Sequence, residues 1–82
     1  MTLTELKSAL AEAGVSEDAY YLGNSLGLGE CYCLARTGSC WETYYSERGE
    51  KIGVRHFESE DDACRYFLQK ILSDPTTRKK VS

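Results

Sequence analysis

The chain has 82 residues, with 13 acidic against 10 basic side chains and a net charge of −3. This length fits one domain, which buries only roughly 60–65% of the surface that its unfolded chain exposes. No apolar run is long enough to span a membrane, no leader-like segment precedes the first helix, and an acidic chain repels phosphate backbones. The sequence therefore predicts a cytoplasmic protein that binds neither nucleic acid nor a membrane.

The first quarter of the chain predicts one helix and one short extended segment. A capping-box pattern at Thr2 and Glu5 starts the helix, and its apolar residues recur at helical spacing until Gly14 ends it. Residues 19–22 contain two tyrosines, which favour an extended chain, so we interpret them as a candidate edge strand. Residues 23–29 contain three glycines and predict a bend or mobile loop, because no phosphate-loop lysine follows them.

Three strand-like runs occupy 30–35, 40–46 and 52–57. They are separated by short polar connections at 36–38 and 47–50, each with a glycine where a positive φ is easiest. Connections of this length join neighbouring antiparallel strands. The pattern predicts a three-stranded meander, with the candidate edge strand as a fourth member.

A three-residue loop at 36–38 predicts that Cys33 pairs with Trp41. This register sorts the side chains between two faces of the sheet. The face expected to lie under the helices carries Cys31, Cys33, Ala35, Trp41, Thr43 and Tyr45. The face expected to be partly exposed carries Tyr32, Leu34, Cys40, Glu42 and Tyr44.

A second helix follows the meander. Ser59 is a favourable N-cap, the carboxylates of 60–62 suit the positive end of the helix dipole, and Asp74-Pro75 ends the helix. Together the patterns predict one α+β domain over residues 1–75, in which a three- or four-stranded antiparallel sheet carries an N-terminal and a C-terminal helix on one face. Residues 76–82 predict a disordered basic tail.

Four cysteines in a short chain favour disulfides only in a secreted protein, so we expect thiols here. Their spacing lacks the paired ligands of zinc ribbons, and His56 has no partner set that would make it a catalytic base. We therefore expect no enzymatic activity, no metal and no cofactor.

Acidic loops at 47–50 and 58–62 bracket the third strand of the meander, and tyrosines are abundant. Carboxylates can steer a basic partner, while tyrosine rings contribute strongly at interfaces. The residues predicted to bind a partner are Tyr32, Tyr44, Glu47, Glu50, Glu60 and Asp61.

Two motifs in the second half resemble a known family. They are Trp41-x-x-Tyr44-Tyr45-Ser46-Glu47-Arg48-Gly49 and Phe57-x-Ser59-Glu60-x-x-Ala63-Cys64-x-Tyr66-Phe67. The pattern resembles small bacterial immunity proteins of polymorphic-toxin and contact-dependent inhibition systems. The resemblance implies a cytoplasmic protein that binds and blocks one cognate toxin without chemistry of its own.

The sequence thus favours a non-catalytic binding protein that neutralises a toxin by occluding its active site. The expected partner has a basic surface, and the protein itself is expected to be a monomer or a weak dimer. Two alternatives stay open: a structural or regulatory module that self-associates through its sheet, and a small metal-binding protein. The identity of the toxin and the exposed face of the sheet stay open as well.

Overall fold

The computed structural model describes residues 1–23 and 30–77. Its helices are α1 (Leu3–Glu12) and α2 (Glu60–Leu72), and its strands are β1 (Tyr20–Leu22), β2 (Cys31–Thr37), β3 (Cys40–Glu47) and β4 (Glu50–Phe57). The α+β class and the two terminal helices are confirmed. The predicted loop lies outside the described residues at 24–29, and the predicted tail does so at 78–82.

Local capping patterns place both helices. The hydroxyl of Thr2 accepts the backbone N–H of Glu5, and the Glu5 carboxylate accepts the N–H of Thr2, so the predicted capping box is present. Ser59 caps α2 by accepting the N–H of Asp62. Both caps satisfy donors that have no partner within the helix.

The four strands form one sheet in the order β1-β2-β3-β4. The β2–β3 and β3–β4 pairs are antiparallel, as the short connections predicted. β1 is a strand, as proposed, but it pairs parallel with β2, so the sheet is mixed. Turn residues specify the direction of strands in hairpins, whereas no such signal exists between β1 and β2.

The predicted register of the β2–β3 hairpin is wrong. The connection is a two-residue turn, Gly38-Ser39, closed by the pair Thr37 and Cys40, and Gly38 has a φ of 62°. Glycine at the first central position suits a tight hairpin turn that follows the twist of the strands. Cys33 therefore pairs with Tyr44 instead of Trp41.

This change of register reassigns the faces of the sheet. Tyr32 and Leu34 of β2 share a face with their partners Tyr45 and Thr43 of β3, and this face lies under α2. Of the residues predicted to lie under the helices, Trp41, Thr43 and Tyr45 of β3 are on that face, whereas Cys31 and Cys33 of β2 point away from the helices. On the opposite face, Cys31, Cys33 and Tyr44 form a separate small buried cluster.

The main core joins both helices to the sheet. Phe67 and Ile71 of α2 are buried together with Leu6 and Leu10 of α1 and Leu34 of β2. β4 contributes little to this core, because residues 50–56 are all exposed, with Ile52 at 44% and Val54 at 40%. A register shift lies between Thr43 and Tyr45 where they face β4. The structure therefore leaves an open edge strand beside a well-packed helix.

The C-terminal segment departs from the predicted tail at its start. Pro75–Thr77 forms a single 3-10 turn, in which Thr77 is buried and its hydroxyl donates to the carbonyls of Ile71 and Asp74. The N–H of Ser16 donates to the Thr77 carbonyl. Residues 75–77 are thus part of the packed domain.

Truncating Phe67 should test the core directly. The side chain is only 2% exposed and lies at the centre of the apolar stripe of α2. Phe67→Ala should lower the free energy of unfolding by roughly 3–5 kcal/mol, because it removes a buried ring and leaves a cavity. Urea denaturation measures the change. Leu72→Ala, on the exposed side of α2, is the control and should cost less than about 1 kcal/mol; equal losses would contradict this packing.

Candidate functional site

The tip of the β3–β4 hairpin carries two opposed carboxylates. Glu47 and Glu50 are cross-strand partners on either side of the turn Arg48-Gly49. Both turn residues have positive φ, 52° and 79°, which is typical of a two-residue hairpin turn. Like charges placed directly opposite each other repel, and neither carboxylate forms an ion pair within residues 1–23 and 30–77. The tip therefore favours association with a cation.

More carboxylates lie at the same end of the sheet. Asp18, Glu30 and Asp74 line a pocket of about 260 Å³ together with the rings of Tyr32 and Tyr45. Asp18 comes from the 3-10 turn before β1, Glu30 directly precedes β2, and Asp74 follows α2. We call Asp18, Glu30, Glu47, Glu50 and Asp74 the acidic end.

The two tyrosines at the acidic end are held in their neutral form. The Tyr32 hydroxyl donates to Asp74 at 3.0 Å, and burial together with this hydrogen bond raises the pKa of Tyr32 to about 12. Burial chiefly, and then the negative charges of Glu30, Glu47 and Asp74, raise the pKa of Tyr45. The two rings meet edge to face, with centroids 4.9 Å apart. The result is a rigid aromatic pair surrounded by negative charge.

Glu60 and Asp61 lie elsewhere. They begin α2, directly after β4, whereas Glu50 begins β4; a strand of 8 residues separates the two sets by roughly 25 Å. Both carboxylates are also engaged within the domain. Glu60 accepts the N–H of Leu3, and Asp61 accepts from Arg65 and from the Met1 amino group. The six predicted binding residues therefore do not form one surface.

The two tyrosines predicted as anchors lie on opposite faces of the sheet. Tyr32 is half-buried on the face under α2, at the acidic end. Tyr44 is only 3% exposed and belongs to the cluster on the other face. Of the predicted set, Tyr32, Glu47 and Glu50 are brought together, and Tyr45, Asp18, Glu30 and Asp74 join them.

A buried carboxylate organises the face away from the helices. Glu42 accepts from Lys51 at 2.7 Å and lies 3.1 Å from the His56 ring nitrogen. The hydrogen bond from Lys51, assisted by His56, lowers the pKa of Glu42. The Lys51 ammonium also lies 4.8 Å from the centroid of the Tyr44 ring. These contacts give His56 a structural role in joining β3 to β4.

Glu42→Gln should reduce the pH dependence of stability. A carboxyl whose pKa is lowered by folding stabilises the fold at pH values above its unfolded pKa, near 4.5. This contribution is lost as the pH falls through the lower folded-state pKa. Urea denaturation between about pH 7 and pH 3 should show a weaker acid-side loss in the variant than in the parent chain. The exposed Glu12→Gln serves as control, and an unchanged slope for Glu42→Gln would contradict this role.

The four cysteines are thiols in the structure, and three of them, Cys31, Cys33 and Cys64, are buried. The Cys31 and Cys33 sulfurs are 3.7 Å apart on the face away from the helices. Burial raises the pKa of Cys64 to about 11. Cys40, which is half-buried at the start of β3, is the most accessible of the four.

Thiol reactivity should follow this burial. A disulfide reagent should modify Cys40 quickly and the other three thiols slowly, because the reagent must reach the sulfur and the other three are buried. Without added reductant, the denatured chain should give four reactive thiols. Cys40→Ser should remove the fast phase alone. A fast phase that persists in this variant, or fewer than four thiols after denaturation, would refute the prediction.

No group of three or more His, Cys, Asp or Glu side chains in the described ranges is arranged to hold a metal ion. No helix there is long and apolar enough to cross a membrane. Comparisons with models of protein families, with curated proteins and with solved structures found no match.

Proposed function

We propose that this protein is a non-catalytic binding protein that neutralises a cognate bacterial toxin by occluding its active site, and that the acidic end meets a basic region of that toxin. The observation that carries the proposal is a cluster of five carboxylates, none of them ion-paired within the described residues, around a rigid pair of tyrosines. The resemblance of the two motifs to immunity proteins supplies the toxin as partner.

The electrostatics of this cluster favour association with a cation. Carboxylates that repel one another raise the free energy of the unbound protein, and a basic partner removes that repulsion. Charges of this kind act mainly on the rate of encounter, because their field extends over about 8 Å at physiological salt. The rings of Tyr32 and Tyr45 offer rigid surface of the sort that stabilises the bound state.

Reversing charge at the hairpin tip should slow association. We expect the cognate toxin domain to be encoded next to the gene. Glu47→Lys/Glu50→Lys should lower the association rate constant with that domain by on the order of tenfold and weaken its salt dependence. Both side chains are free of ion pairs within residues 1–23 and 30–77, so the fold should persist. Surface-captured binding kinetics at two ionic strengths measure the effect.

The control is Glu58→Lys/Asp62→Lys, which makes the same change in net charge at exposed positions beside the start of α2, at the far end of β4 from the tip. It should alter association much less. Equal slowing by both variants would attribute the effect to net charge and remove the acidic end from the mechanism. Failure of the parent chain to bind the neighbouring toxin domain would overturn the toxin assignment itself.

Self-association through the sheet is the second candidate. β4 has no partner strand beyond β3 among the described residues, and it exposes Ile52 and Val54. Sedimentation velocity over a wide concentration range separates self-association from toxin binding. Self-association requires a dimer that forms at high concentration and that Val54→Lys abolishes.

A further inference from the structure

A groove of about 760 Å³ runs between α2 and the outer half of the sheet. Tyr66, Phe67 and Lys70 of α2 form one wall, and Ile52 and Arg55 of β4 form the other. The core of the domain does not fill this space, because residues 50–56 of β4 are exposed. The groove is therefore a candidate binding site.

The charge of the groove is opposite to that of the protein. No Asp or Glu is among its described lining residues, although the chain has 13 acidic side chains. Arg55 and Lys70 form no ion pair within the described residues, and the Arg55 guanidinium lies 5.5 Å from the centroid of the Tyr66 ring. Two cations that line one groove suit a carboxylate, which Arg binds in a fork geometry.

The floor of the groove has a polar group of its own. Thr43 is 4% exposed, lines the groove, and has a hydroxyl without a hydrogen-bond partner among the described residues. Buried polar groups in proteins are almost always paired, so this hydroxyl favours a polar ligand group nearby. The groove thus combines two cations, one hydroxyl and aromatic surface.

The adjoining edge of β4 indicates the form of the ligand. An edge strand presents unpaired backbone N–H and C=O groups, which an extended polypeptide can pair with. Ile52 and Arg55 lie on either side of the register shift, and both face the groove. Side chains two positions apart in a strand share a face, so a partner strand could place an apolar side chain on Ile52 and an acidic one at Arg55. A small anion would contact only Arg55 and Lys70, and it would leave the backbone groups of β4 unpaired.

We propose that this groove binds an extended acidic segment of a partner protein, which pairs along β4, sets an apolar side chain on Ile52 and places a carboxylate between Arg55 and Lys70. The proposal holds whether or not the partner is a toxin, so it can fail without affecting the proposed function.

Amide NMR of the isotope-labelled full chain tests the proposal with the peptide Thr-Val-Thr-Glu-Thr-Val-Thr, which reads the same in both directions. We expect saturable shifts at residues 52–56 and 66–70. Arg55→Gln/Lys70→Gln should weaken binding by at least on the order of tenfold, because it removes two charged donors. The control Lys7→Gln/Arg36→Gln removes equal charge elsewhere and should change the affinity little.

Any of four outcomes would overturn the proposal. The first is the absence of saturable shifts at the groove, and the second is equal binding of a matched peptide with lysine in place of glutamate. The third is the same pattern of shifts with sodium acetate alone, which would assign the site to small anions instead of a polypeptide. The fourth is an equal loss of peptide affinity in the control variant, which would show that net charge, and not the groove, determines binding.

Discussion

The short turn at Gly38-Ser39 is the constraint on which the arrangement of the sheet depends. It closes β2 on β3 with Thr37 opposite Cys40, and this register decides which side chains face α2. Leu34 then joins the core beside Phe67, while Cys33 and Glu42 point to the other face. A change of register by one residue would expose the first group and bury the second under a helix. The apolar stripe of α2 and the turn therefore specify the same structure independently.

Local chemistry made much of this fold predictable. The capping residues Thr2 and Ser59 satisfy backbone donors within their own turns, and the apolar stripe of α2 recurs at helical spacing, so both helices could be placed from sequence. The register of β2 and β3 could not, because Arg36-Thr37-Gly38-Ser39 is compatible with turns of two or three residues. The parallel direction of β1 depends on contacts between distant parts of the chain, which no local pattern records.

In the candidate site, too, local sequence predicts some features, while others depend on contacts between distant parts of the chain. Glu47 and Glu50 flank a recognisable hairpin turn, so their proximity could be predicted. Asp18, Glu30 and Asp74 join them only because three separate segments end at one edge of the sheet. The sequence indicated Asp74 only as part of the Asp74-Pro75 end of the second helix, and not as a member of the site. Glu60 and Asp61 were grouped with the tip because both loops border β4, although an entire strand separates them. The folded domain thus places its acidic end next to a groove with cationic walls, and Tyr45 contacts both.

The position of Cys40 offers a practical way to handle the protein. Cys40 begins β3 and Glu47 ends it, so this thiol and the acidic end lie at opposite ends of one strand, roughly 20–25 Å apart. A biotin attached through a maleimide at this native side chain would anchor the domain by the corner between β2 and β3. Every immobilised molecule would then present Tyr45 and its surrounding carboxylates towards the solution. Oriented attachment of this kind would come from the chain itself, without a fused tag.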